Sequence, residues 1–139
     1  MRYLLDTNIL VSAALHPNGT AGRAYDLAMT GPVSVVVCDY TLAELRRVFR
    51  VKFPERDASL ESFIDGITPG IGIVPTPEAV GPEADIRAVR DPQDWPILRA
   101  AVAAGVDAII TGDKDLLDAG LVCPEAITPA QFLARLRPA

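Results

Sequence analysis

Histidine is nearly absent from this sequence. There is one in 139 residues, His16, beside Pro17 in a loop-like stretch that suggests a surface position. Its isolation argues against mechanisms that need a histidine base, the Ser-His-Asp triad among them. Cysteine is scarce too. Cys38 and Cys123 are far apart and fit no metal or redox spacing. Cys38 closes the apolar run Val33 to Val37 and reads as a buried thiol. No run approaches the roughly 18 apolar residues needed to span a bilayer. Asp6 interrupts the first apolar stretch too early for a signal peptide. The expectation is a cytoplasmic protein with no membrane partner. No Walker loop and no dinucleotide glycine fingerprint appears. Positive charge is in deficit, with 13 Lys and Arg against 18 Asp and Glu, a net charge of -5. Nonspecific nucleic-acid binding is carried by excess Lys and Arg, so that class is disfavoured. An enzyme that brings cations to a phosphate is not.

What the sequence has is apolar residues, half of the total, enough for one core and a single domain over 1–139. Their pattern alternates strand and helix. Arg2 to Leu5 reads as a short buried strand and Asn8 to Leu15 as a helix stopped by His16-Pro17-Asn18-Gly19. Thr20 to Met29 reads as a second helix, with Thr20 as its N-cap and Gly31 as its stop. "PVSVVVCD" is continuous and β-branched, a strand covered on both faces. Asp39 or Thr41 can cap the next helix, whose Leu42, Leu45, Val48 and Phe49 share a face. A helix from Ala58 to Ile67 and a strand in "GIGIV" follow. Pro75 to Pro92 reads mostly as loop, with a helical turn near Glu83 to Val89. Pro96 to Ala104 is a helix, "DAIITGD" a strand, and Leu116 to Ala119 a helical turn. Ile127 marks a short fifth strand, and Thr128 caps a last helix to Leu136. The expected fold class is α/β, a three-layer α/β/α sandwich around a mainly parallel sheet of four to five strands.

In such a sheet, ligands bind at the carboxyl ends of the strands. The opening "MRYLLDTNIL" puts Asp6 directly at such an end, and "TGD" puts Asp113 at another. Glu44 lies in the first or second turn of the helix entered from the second strand. Asp94 precedes the helix that leads back into the fourth. Singly, each acid has an ordinary reading: Asp6 and Asp94 as helix caps, Glu44 as a solvated face, Asp113 and Asp115 as a turn. Jointly, four acids from four segments are expected to converge on one edge. Two carboxylates about 4 Å apart repel by about 4 kcal/mol at an effective dielectric near 20. Such a group must protonate, move apart or bind metal. Oxygen ligands without His or Cys suit Mg²⁺ or Mn²⁺. The basic run Arg46, Arg47, Arg50, Lys52 and Arg56 reads as a solvated helix face, or else as a contact for phosphate or an acidic partner. Trp95 reads as packing at a helix start, with base stacking as the other option.

The stretches "LLDTNIL", "LAELRRVF", "DPQDWPILRAA" and "DAIITGDKDLL" resemble the PIN-domain ribonucleases. The similarity spans nearly the whole chain, down to "ITPAQFLARL". It is nearest to single-domain prokaryotic PIN proteins, among them VapC-like toxins of toxin–antitoxin pairs. The resemblance implies an Mg²⁺- or Mn²⁺-dependent endoribonuclease that hydrolyses RNA phosphodiester bonds. It places Asp6, Glu44, Asp94 and Asp113 in the catalytic and metal-binding set, with Asp115 as an auxiliary acid. Asp91 is a rival for the third position. Thr7, Asn8 and Thr111 would be donors that fix the carboxylates. It further implies an RNA substrate, a cognate antitoxin partner and a homodimer. Two rival readings are a haloacid-dehalogenase-type phosphatase, against which Asn8 counts, and a non-catalytic PIN-like scaffold that binds a partner protein.

Overall fold

A run such as Val35-Val36-Val37 has no polar face to offer water, so its strand must be covered on both sides. The computed structural model, which describes residues 1–67, 69–78 and 89–136, does so. The strands are β1 (Arg2–Leu5), β2 (Ser34–Cys38), β3 (Gly72–Val74), β4 (Ala108–Ile110) and β5 (Glu125–Ile127). They form one sheet in the order β3-β2-β1-β4-β5, and every pairing is parallel.

Successive residues of a strand face opposite sides, and this alternation divides the core in two. Tyr3, Leu5, Val35, Val37 and Ile110 face one side. There they meet α1 (Thr7–Leu15), α2 (Thr20–Thr30), α3 (Asp39–Lys52), α4 (Asp57–Asp65) and α7 (Pro129–Arg135). Tyr3 packs edge-on against Phe132 of α7, ring centres 4.9 Å apart. Leu4, Val36, Cys38 and Ile109 face the other side, against α5 (Trp95–Ala103) and Leu116 of α6 (Lys114–Leu117). The result is the expected α/β/α sandwich. Cys38 is buried and His16 is exposed.

Several element ends differ from the sequence reading. Helix α1 begins at Thr7, one residue early, because Asp6 is its N-cap. Thr20 does not cap α2. Gly19 does, with no side-chain cap bond, and Gly19 O accepts from Arg23 N at 2.9 Å. The chain can enter the helix there because Gly22 lies flat against Pro17, where a Cβ would come within 2.1 Å of the Pro17 carbonyl oxygen. At α3 the cap position is Cys38, while Asp39 sits in the first turn and accepts from Tyr40 N at 2.8 Å. Helix α4 starts one residue early and stops two early, and α6 starts at Lys114 instead of Leu116. Thr128 caps α7 with a reciprocal Gln131 bond, as its sequence position suggests. The turn expected near Glu83 to Val89 lies outside the described residues, Val89 excepted.

The strand order reverses direction at β1. The chain winds outward through β2 and β3 on one side, then returns to place β4 and β5 on the other. A crevice opens at such a switch point, above the carboxyl ends of the two strands that flank it. Those strands are β1 and β4.

Candidate active site

Asp6 stands at the end of β1, where its backbone N–H still donates to Ile110 O of β4 at 3.0 Å. Its side chain is only 4% exposed. Thr7 N donates to Oδ1 at 2.7 Å, and the Thr111 hydroxyl donates to Oδ2 at 2.7 Å. Asn8 Nδ2 adds a longer bond to Oδ2 at 3.3 Å. The donors from Thr111 and Thr7 favour the charged form. Burial outweighs them and, with the charges of Asp113 and Glu44, pushes the carboxyl up to about 6. Asp6 is thus both the N-cap of α1 and a strained buried acid.

The other acids close around it. Asp113 caps α6, accepting from Asp115 N at 2.8 Å, and its own N–H donates to Thr111 Oγ1 at 3.0 Å. Thr111 therefore links the two strand-end acids. Glu44, in the second turn of α3, accepts from the Thr7 hydroxyl at 2.9 Å and lies 3.7 Å from Arg47. Asp94 ends a 3-10 turn, Pro92–Asp94, that leads into α5. It makes no cap bond, since Asp91 caps that turn by accepting from Gln93 N at 3.0 Å. Asp94 Oδ2 is buried and receives no donor. Burial, then the charge of Asp113 and a hydrogen bond to it, push the Asp94 carboxyl up to about 8.

Asp6, Glu44, Asp94 and Asp113 line a single cleft of about 490 Å³. Asp115 lies to one side. Its carboxylate, with those of Asp91 and Asp94, offers oxygens all within 4.8 Å of one another. Asp94 thus faces acids in two directions. Thr7 donates to Asp6 and Glu44, and Asn8 and Thr111 both donate to Asp6. Two carboxyls held above their ordinary range, and a buried carboxylate oxygen without a donor, mark a place short of positive charge. The donor set is all oxygen, which fits a hard cation such as Mg²⁺ or Mn²⁺.

Sequence reasoning missed Gln93 and gave Lys52 only as part of a basic run with phosphate contact as its second reading, yet both line the cleft. Lys52 had a legible signal: Glu44, Val48 and Lys52 recur every four residues and so share one helical face. Arg90, which pairs with Asp115 at 2.9 Å, had none. The rest of the basic run divides. Arg46 pairs with Glu61 at 3.2 Å, away from the cleft. Trp95 packs on the second core layer and donates its Nε1–H to Val89 O at 2.8 Å.

A family model described as the PIN domain matches residues 2–115, which take in all the acids of the cleft. The chain belongs to the PIN domain family. No curated protein matches its sequence. Solved structures share the fold of this PIN domain. VapBC2 from Rickettsia felis, bound to a DNA fragment from its promoter, aligns with a TM-score of 0.65 at 15% identity, over 92% of this chain and 98% of that one. FitAB bound to an IR36 DNA fragment gives 0.64 at 22% identity, over 91% and 94%. VapC20 of Mycobacterium tuberculosis, described as a sarcin-ricin loop cleaving toxin, gives 0.60 at 16%, over 86% and 96%. Membership of this family disfavours the phosphatase reading. Among the described residues, no helix of this PIN domain is long and apolar enough to cross a membrane.

Proposed function

We propose that this PIN domain is a metal-dependent endoribonuclease acting as the toxin of a toxin–antitoxin pair. The observation that carries the reading is the convergence of Asp6, Glu44, Asp94 and Asp113 on one cleft at the sheet's switch point. The description of VapC20 as a sarcin-ricin loop cleaving toxin supports the same reading. Asp6, Asp94 and Asp113 would hold Mg²⁺ or Mn²⁺, with Glu44, Asp115 and the rival Asp91 at the margin. Bound there, the ion supplies the positive charge that activates water and neutralises charge developing on a phosphate. The chain's own contribution is placement. Thr7, Asn8 and Thr111 fix the Asp6 carboxylate from three sides, and Thr111 holds the Asp113 backbone in register with it. Glu44 is steadied by the Thr7 hydroxyl, where it can orient the attacking water. Phosphoryl chemistry depends mainly on position and charge, so such a set suffices.

The partner of the toxin is a cognate antitoxin protein, and the active form is a homodimer. Support for a protein partner is that VapBC2 and FitAB were each solved as assemblies on DNA. An RNA substrate and an antitoxin partner are compatible with a cytoplasmic location.

The purified protein should cleave RNA with Mn²⁺ or Mg²⁺ and stop when chelator is added. Asp6→Asn keeps size and cap geometry but removes the charge that holds the ion. Cleavage should fall by about a hundredfold or more while the circular dichroism spectrum is retained. Equal cleavage by wild type and variant would assign the activity to a contaminant.

A further inference from the structure

A second cavity, of about 410 Å³, opens at the same sheet edge, between the start of α1 and the first residues of α2 and α7. It shares two lining residues, Asn8 and Ser12, with the acid cleft, so the two are contiguous. Their chemistry differs. Among the described residues, no charged side chain lines this second cavity. Ile9, Ala21 and Ala130 give it an apolar floor, and Asn8, Ser12, Thr20 and Thr128 give it a few polar groups. It is a shallow, open and mainly apolar depression, against which a base or sugar can lie. Thr20 is free to act there. Because Gly19 caps α2, the Thr20 hydroxyl has no capping bond and stands exposed beside the cavity. Asn8 forms the wall between the two spaces. Its Oδ1 accepts from Gly112 N at 3.1 Å, and its Nδ2 reaches Asp6.

We infer that this uncharged pocket is a substrate subsite that takes the nucleoside next to the scissile phosphate. The inference rests on the nuclease reading above and extends it. An RNA strand crossing the acid cleft must place its phosphate near the cations and its sugar and base elsewhere. The acid cleft offers carboxylates, which repel the strand. The adjoining pocket offers a neutral apolar surface for a base and hydroxyls that can pair with the ribose.

The test uses two variants distant from the acids. Ala130→Trp fills the pocket from the exposed start of α7, and Thr20→Val removes its free hydroxyl. Two substrates are compared in Mn²⁺: single-stranded RNA, and bis(p-nitrophenyl) phosphate, which has a phosphodiester but no nucleoside. The expected result for Ala130→Trp is a fall of about tenfold in kcat/KM on RNA, with the small diester cleaved as by wild type. Thr20→Val should show a smaller loss of the same selectivity, a few-fold. A metal-independent readout accompanies these. With chelator present, millimolar ribonucleosides should shift the amide NMR signals of Thr20, Ala21, Gly112 and Ala130 in wild type, but not in Ala130→Trp. The subsite is overturned if RNA cleavage is unchanged, or if both substrates lose activity equally. A variant that changes only from dimer to monomer, with RNA cleavage per subunit retained, assigns the pocket to a second copy of the chain and overturns it too. If wild type cleaves neither substrate, the nuclease reading fails and takes the subsite with it.

Discussion

Leu5 and Asp6 are adjacent in the chain and nearly equally buried, at 0% and 4% exposed. Leu5 points into the core layer beneath α1 and α7, where burial itself is stabilising. Asp6 ends the strand at the crevice, where burial pushes its carboxyl up to about 6 in spite of three donors. One residue step takes the chain from a region that stabilises the fold to one that opposes it. The sandwich below must be stable enough to hold the acids above in an arrangement they would otherwise leave.

The comparison is broken most severely from the core side. Leu5→Ala should cost about 2–5 kcal/mol, the range for a truncated buried leucine that leaves a cavity. The loss should be the same with chelator and with Mn²⁺, because Leu5 touches the site only through the backbone. Chemical denaturation under both conditions measures it. A loss confined to one condition would show that core and site are not separable in this way.

The two regions also differ in how well the sequence discloses them. The core is legible because alternation and β-branching are local signals. Val35 to Val37 must lie in a doubly covered strand wherever the rest of the chain goes. The four acids were legible only jointly, through their places at strand ends, since each has an ordinary local use. Asp6 shows why: it is a helix cap and a cleft acid at once. The acids Asp91 and Asp115 come together with Asp94 through the path of a 3-10 turn, which no residue spacing announces. Lys52 was readable from its four-residue spacing behind Glu44. The uncharged pocket was not, because it depends on Gly19, not Thr20, capping α2, and that follows from the close approach of Gly22 to Pro17.

The second way to sharpen the comparison is pH. In chelator, Asp6 is held above its ordinary value of 3.8, at about 6. The folded state therefore keeps its proton longer than the unfolded chain. Folding binds protons in that window, so stability is full below about pH 4, falls as pH rises toward 6, and levels off above. The difference corresponds to about 3 kcal/mol. Asp94, pushed up to about 8, extends the decline in the same direction. Asp6→Asn lacks the Asp6 contribution. Compared with wild type, the variant should gain about 3 kcal/mol between pH 4 and pH 8. Leu5→Ala should run parallel to wild type throughout. If the gap between wild type and Asp6→Asn stays constant over this range, burial of Asp6 does not govern its ionisation.

The smallest of the three effects is the one that metal adds. A divalent ion that binds only the folded state contributes RT ln(1 + [L]/Kd), about 2.7 kcal/mol at a hundredfold excess over Kd. For a domain of this size that raises Tm by several degrees. The ion needs the acids deprotonated, so its effect should grow from pH 6 to pH 8, the reverse of the metal-free trend. Asp113→Asn separates the two contributions. It removes a charge that faces both Asp6 and Asp94, so the metal-free variant should be as stable as wild type at pH 8, or more so. The same change replaces a charged carboxylate of the proposed ion site by a neutral amide, so the rise on adding Mn²⁺ should shrink. An acid that served only to cap α6 would behave differently. Asp113→Asn keeps Oδ1 as the acceptor for Asp115 N and would change stability little, whereas Asp113→Ala would cost about 1 kcal/mol with or without metal. Melting curves of wild type, Asp113→Asn and Asp113→Ala, in chelator and in millimolar Mn²⁺, distinguish a charge held against repulsion from a cap. Uniform destabilisation of Asp113→Ala, with Asp113→Asn like wild type and no metal response in either, would make the crevice a structural feature of the fold and leave Asp6 as a capped strand end.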